Sequence, residues 1–260
     1  MKTMSWASRQ VALAVAGVLF FAGAACGQEL RVMTSGAFTE AYRHLAPDFE
    51  RSTHIKIVTA YGASMGDAPD SIPSRLQRGE PADVVILAGP ALDELMKQGE
   101  VVPGSRVDLV RSSIGMAVRA GAPKPDISSV EALKHTLLKA KSIAYSDSAS
   151  GVYLSHDLFQ RLGIADQILQ KCRRIQGEPV GAVVARGEVE IGFQQISELL
   201  PVAGIEFVAP LPPGAQKVTV FAAGIARSSH NMDAAHALIK FLASPAALPV
   251  IQKSGLEPAR

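Results

Sequence analysis

The sequence predicts an α/β fold with two similarly built lobes. Three observations carry this: short apolar segments alternate with helical patterns, the alternation comes in two blocks, and two less patterned stretches, 101–120 and 203–226, lie between them. In the first block "ELRVMT" (29–34) precedes a helical stretch with Phe38, Tyr42, Leu45 and Phe49 on one face. "IKIVTA" (55–60) then leads to "SIPSRLQRG" (71–79), and "DVVIL" (83–87) to "PALDELMKQG" (90–99). Such β-α-β-α order calls for largely parallel strands, and Pro47 predicts a kink in the first helix.

In the second block "SIAYS" (142–146) leads to a helix with Leu154, Leu158 and Leu162 at steps of four, ended by Gly163. "EPVGAVVARG" (178–187) leads to the strand "VEIGF" (189–193). The two intervening stretches hold strands of their own, "IGMAVRA" and "KVTVFAAGIA", placed to cross between lobes. The C-terminal part reads as a helix, a break at Ser244, a second helix opened by Pro245 and a loose tail. "RGEPADVVI" (78–86) and "RGEVEIGF" (186–193) share a pattern: each ends a helix with Arg-Gly-Glu and enters a strand past an acidic residue. A glycine helix cap explains either alone; structural correspondence of two lobes would explain both.

The 260 residues are 48% hydrophobic and 19% charged, enough for one or two globular domains with real cores. The first 27 residues have Lys2 and Arg9 in a polar start, then "VALAVAGVLFFAGAAC" without a charge, the layout of a secretory signal peptide. The apolar run is shorter than the ~20 residues of a membrane span. The expected product is therefore exported, with cleavage after Ala25 or Gly27. Lipoprotein anchoring through Cys26 is the lesser alternative, because Gly23 stands where such signals usually carry Leu. Lys2 and Arg9 account for the whole excess of 26 basic over 24 acidic residues. The chain from Gln28 onward is thus neutral, which argues against a nucleic-acid partner. Cys172 is then the one cysteine outside the leader and Cys26, so no disulfide framework or multi-cysteine metal site is expected.

Glycine and serine gather at four turns that follow predicted strands: Ser35-Gly36, "YGASMG" (61–66), "SDSASG" (146–151) and "GFQQIS" (192–197). In α/β sheets these turns lie at the strand carboxyl ends, where ligands bind. Free backbone N–H groups, the helix dipole and serine hydroxyls attract an anion, and glycine admits close approach. Helix capping is the plainer reading of any one turn; four together favour a binding cradle. Motifs for enzymes are missing: there is no G-x-S-x-G, H-E-x-x-H, GxxxxGK[ST] or paired-cysteine pattern. The six histidines, His44, His54, His135, His156, His230 and His236, are scattered, and the plain role of each is a solvated or core side chain. Asp147 and His156 are the candidates for a base, with helix capping and surface exposure as their plainer roles.

Beyond these features, the chain resembles the molybdate-type periplasmic substrate-binding proteins of ABC importers. The resemblance runs through "SGAFTEAYRHLAPDFERSTHIKI", "YGAS", "RLQRGEPADVVILA", "IAYSDSASGVY" and "EPVGAVVARGEVEIGF", and Ser74 to Ala88 is its most specific part. It implies the type II periplasmic-binding-protein fold, two α/β lobes joined by two crossing segments, with an oxyanion held between them. Residues 28–108 and 209–260 would form lobe 1, and 109–208 lobe 2. Carried over, the family's first serine falls at Ser35 or Gly36 and its second at Ser64. The backbone donor of the third turn falls at Ser150, followed by Gly151 and Tyr153. The next helix donor falls at Val180, and the family tyrosine at Gln195. Ser148 adds a hydroxyl beyond the family pattern and is taken as a ligand contact. About five extra residues, "GDAPD" (66–70), follow Ser64-Met65.

The implied function is an exported monomer that closes over a small anion, molybdate or tungstate, and delivers it to an inner-membrane ABC permease, with no cofactor. The substitution at Gln195 and the added hydroxyls suit a larger organic di- or tricarboxylate, which Arg43 or Arg75 could pair, although a solvated surface is the plainer place for both. An enzyme is the less favoured class. Its main form is a cofactor-free isomerase of an aconitate-like carboxylate, using Asp147 or His156 to move a proton. A serine hydrolase using Ser64 or Ser150 is more remote, for want of a partner base.

Overall fold

The computed structural model describes residues 29–259. The expected export segment and Cys26 lie outside them. Among the described residues no single helix is long and apolar enough to cross a membrane.

One sheet contains β1 (Glu29–Ser35), β2 (Lys56–Gly62), β3 (Val84–Ala88), β4 (Val107–Ser112), β10 (Thr219–Ile225) and β11 (Glu257–Pro258), in the order β11-β4-β10-β3-β1-β2. The other contains β5 (Ile114–Arg119), β6 (Ile143–Ser146), β7 (Cys172–Ile175), β8 (Ile191–Gln195) and β9 (Ile205–Pro210), in the order β7-β6-β8-β5-β9. β1 pairs in parallel with β2 and β3, as β6 does with β7 and β8. The strands next to each crossover pair antiparallel: β10 with β3 and β4, and β5 with β8 and β9. The chain passes between sheets at Ser113 and again between Pro210 and Thr219. This is the two-lobed α/β architecture the sequence predicts.

In the first lobe α1 (Gly36–Thr53), α10 (Met232–Leu242) and α11 (Leu248–Lys253) cover one face of the sheet, and α2 (Ile72–Gln77) and α3 (Gly89–Lys97) the other. β1 shows why both faces need cover. Leu30 and Val32 point to the cluster under α1, whereas Met33 belongs to the opposite one, as the period of two requires. Phe38, Tyr42, Leu45 and Phe49 are all buried. α1 runs through Pro47 rather than breaking there. Pro47 and Arg43, whose carbonyl loses its helical donor, are both exposed, so water can satisfy that carbonyl.

In the second lobe α4 (Val130–Lys139), α5 (Ala149–Tyr153), α6 (Phe159–Arg161) and α7 (Ala165–Ile168) enclose one core; α8 (Val180–Ala185) packs on the other sheet face, and α9 (Ile196–Leu199) follows β8. A π turn at Leu154–Leu158 joins α5 to α6 while keeping Leu154, Leu158 and Leu162 buried. The shared Arg-Gly-Glu pattern is a structural correspondence. Gly79 and Gly187 take φ of +75° and +72° and end α2 and α8. The acidic residue before each strand then accepts a backbone N–H from the neighbouring element: Asp83 from Arg31 at 2.8 Å, Glu190 from Lys141 at 2.6 Å. The C-terminal tail is not loose, because Glu257 and Pro258 pair with β4.

Candidate functional site

The four serine- and glycine-rich turns meet at one cavity between the lobes, with a volume of about 360 Å³. Gly36, Ala37 and Thr39 reach it from the start of α1, and Gly62, Ala63 and Ser64 from the end of β2. The run Ser146–Ser150 comes from the β6–α5 turn, and Gln194, Gln195, Ser197 and Glu198 from the β8–α9 turn. The lobes touch around it: Ser197 Oγ donates to the Ala37 carbonyl at 2.7 Å, and Arg174 pairs with Asp67 at 3.1 Å.

Most of the hydroxyls serve one another. Ala88 N–H donates to Ser64 Oγ at 2.9 Å, and Ser64 Oγ donates to Ser35 Oγ at 2.8 Å, so the Ser35 hydroxyl lies one step behind the cavity wall. Ser148 sits at the N-cap of α5 without capping it; its Oγ accepts from Ser64 N–H across the lobes at 3.2 Å. Ser146 and Ser150 share a bond of 3.0 Å. Gly151 lies behind them, where a Cβ would collide with the Ser146 carbonyl. Tyr153 points elsewhere: its hydroxyl donates to the Ala215 carbonyl at 2.9 Å. Val180 N–H is taken by Gln194 Oε1 at 2.9 Å. Gln195 is 2% exposed, lines the cavity, and has no hydrogen-bond partner at either amide atom among the described residues.

Of the two base candidates only Asp147 is in place. His156 is exposed and does not line the cavity. Asp147 is 7% exposed and its Oδ2 has no hydrogen-bond partner among the described residues. Burial pushes its carboxyl up, and the Asp70 charge adds to this against the opposing effects of Gln176 and Arg174. Among the described residues the side-chain hydroxyls of Ser64 and Ser150 bond to Ser35 and Ser146, and neither bonds to a basic side chain. Arg43 lines the cavity mouth and stacks on Tyr61 at 5.2 Å, whereas Arg75 is held by Glu80 at 2.7 and 2.9 Å.

Glu198 escaped the sequence reading. Its carboxyl comes from the second lobe and rests on Gly36 of the first, so closely that a Cβ at Gly36 would fall inside it. Gln194 Nε2 donates to Glu198 Oε1 at 2.9 Å. Burial, reinforced by the Asp147 charge and opposed by the Gln194 bond, pushes the Glu198 carboxyl up to about 7. No group of three or more His, Cys, Asp or Glu side chains among the described residues could hold a metal ion.

The family model for bacterial extracellular solute-binding proteins matches residues 30–257. The chain belongs to that family. A relative called aconitate isomerase, from Pseudomonas sp, is 52% identical over 229 residues, spanning 88% of this chain and 87% of that protein. The molybdate-binding protein ModA of Azotobacter vinelandii is 28% identical over 95% of this chain and 96% of its own. The solved Azotobacter vinelandii periplasmic molybdate-binding protein superposes with a TM-score of 0.69 at 21% identity, covering 87% of this chain and 98% of that one. The fold is thus the type II periplasmic-binding fold, as the resemblance implies.

Proposed function

We propose that this protein binds an unsaturated tricarboxylate of the aconitate type in the cleft and interconverts its cis and trans forms by moving one proton. The observation that carries this reading is the 52% identity to the Pseudomonas aconitate isomerase across nearly the whole of both chains. The chemistry needs no cofactor. A base removes a proton from the methylene carbon, and the C–H electron pair becomes a new C=C bond. The old π pair then takes up a proton at the former vinylic carbon. The product has the same skeleton with its double bond moved by one carbon, so the bound conformation decides whether it is cis or trans.

The cavity suits such a ligand. Its volume of about 360 Å³ falls in the ~300–1,000 Å³ range of organic-ligand pockets. The wall contains the N-terminus of an 18-residue helix, the unpartnered Gln195 amide and Arg43. Of its acidic residues, Glu40 pairs with Arg43 and His44, Glu178 pairs with Arg186, burial holds the carboxyls of Asp147 and Glu198 above the ordinary carboxylate range, and Asp70 also lines the wall.

A second reading, an oxyanion-binding protein serving an ABC permease, draws support from the Azotobacter relative. Against it, Val180 N–H, the oxyanion donor the resemblance implies, is already bonded to Gln194. Both readings include export, supported by the basic start and uncharged apolar run of residues 1–27. The deciding experiment incubates the purified protein with trans-aconitate in D2O. Appearance of deuterated cis-aconitate by NMR is expected. No turnover, together with a thermal shift by molybdate or tungstate and none by aconitate, would establish the second reading instead.

A further inference from the structure

The cleft offers two carboxyls for the proton transfer, and their settings differ. Asp147 faces the β2–α2 loop, where a Cβ on Gly66 would lie 3.6 Å from its Oδ2. Glu198 stands where the two lobes meet, half-buried, against Gly36 at the start of α1. It has no ion-pair partner among the described residues, and a single donor, Gln194, fixes one of its oxygens. Gln194 is itself oriented, because its Oε1 accepts from Val180 N–H. The next residue, Gln195, places its free amide on the same cavity wall.

Resting on the function proposed above, we propose that Glu198 is the catalytic acid–base residue: its carboxylate takes the proton from the substrate methylene, and the resulting carboxylic acid returns a proton to the former vinylic carbon. The carboxylate is regenerated at the end of each turnover, and no oxidant, reductant or metal enters the balance. Two features make Glu198 better suited than Asp147. A carboxyl raised to about 7 supplies, near neutral pH, both the base and the acid that the two half-steps need. Its contact with Gly36 also places it at the seam of the two lobes, where both can bear on one ligand. Asp147 then acts on Glu198 through its charge. The other charged groups on the cavity wall are Glu40 and Arg43 of α1, Asp70 of the β2–α2 loop and Glu178 ahead of α8.

The test compares the wild-type protein with Glu198→Gln and Glu198→Asp. Three readouts apply to each: deuterium incorporation into trans-aconitate, conversion to the cis isomer, and binding of tricarballylate, a saturated analogue that cannot isomerise. Glu198→Gln should lose about 10²–10⁴-fold in both exchange and conversion, the usual span for a general acid–base group. Its affinity for tricarballylate should stay within a few-fold of wild type. Glu198→Asp should retain reduced activity with a displaced acidic limb in its pH–rate profile. If the wild type turns over and Glu198→Gln keeps more than a tenth of its rate, Glu198 is not the proton carrier, although the isomerase function stands. Parallel loss of tricarballylate binding in Glu198→Gln reassigns the residue to ligand binding and overturns the inference. Should Glu198→Gln fail to fold, wild-type rate and an unmoved acidic limb in Glu198→Asp overturn it equally. A wild-type protein without turnover overturns the function and this inference together.

Discussion

Gln194 and Glu198 form a directed pair, with the Gln194 amide at the end of β8 donating to Glu198 Oε1 on α9 at 2.9 Å. The bond favours the ionised carboxylate, so it opposes the upward push of burial and of the Asp147 charge. Gln194→Leu removes that opposition, and the Glu198 carboxyl should titrate higher still. A base works only when deprotonated, so the rising acidic limb of the isomerisation rate should move to higher pH. A pH–rate profile of the variant checks this; a loss of rate with an unmoved limb would mean that Gln194 has only a packing role.

Asp147 predicts the reverse shift. Its negative charge raises the Glu198 carboxyl, so Asp147→Asn should let Glu198 ionise more readily and move the same limb to lower pH. The sign distinguishes the two assignments. Were Asp147 itself the base, Asp147→Asn would abolish deuterium exchange instead of shifting its pH dependence.

Stability should follow the same titration. The Glu198 carboxyl is raised in the folded protein from an ordinary value of 4.5 to about 7, so between these values the folded state binds the proton more tightly than the unfolded chain. Its contribution is therefore fully present below the unfolded value and is lost as pH rises through the folded one. Glu198→Gln removes this dependence. Relative to wild type, its melting temperature should be higher at pH 8 than at pH 5, as read by thermal denaturation at both.

How much of this site the sequence makes legible depends on distance along the chain. The four turns are visible because each sits where a strand ends, and parallel strands bring their carboxyl ends to one edge. Glu198 was hidden because "QQISELL" reads as an ordinary short helix. Its chemistry comes from burial against Gly36, a residue of the other lobe, which no local pattern records. Tyr153 shows the opposite case. The motif around Ser150 matches the family locally, but at Tyr153 the hydroxyl finds the Ala215 carbonyl on the crossing segment. The tail reads as loose because two residues are too few to show a strand period, yet Glu257 and Pro258 find an open edge on β4.

Ser64 lines the cavity, and its hydroxyl also has a structural role. It accepts from Ala88 N–H and donates to Ser35, all within the protein. Ser64→Ala leaves the buried Ala88 N–H without an acceptor, which costs about 1–3 kcal/mol. Urea unfolding should show that loss even without ligand. An effect on affinity with unchanged stability would instead return Ser64 to direct ligand contact.

Gln195 reverses that balance. Both its amide atoms are buried on the cavity wall without a protein partner among the described residues, and a buried amide left without a hydrogen bond is costly. Such an arrangement makes physical sense where a ligand completes the bonds: the amide donates through Nε2 and accepts through Oε1, matching a carboxylate oxygen and a carboxylic O–H. Gln195→Ala should then move two quantities in opposite directions. Stability of the free protein should hold or rise, because an unsatisfied polar group is gone. Tricarballylate affinity should fall by about 1.5–3 kcal/mol, the usual worth of a hydrogen bond to a charged group, or roughly 10- to 150-fold at 1.4 kcal/mol per decade. Calorimetric titration and urea unfolding of the same variant give both numbers. A variant that loses stability but keeps its affinity would show that the amide supports the fold and leaves the ligand alone.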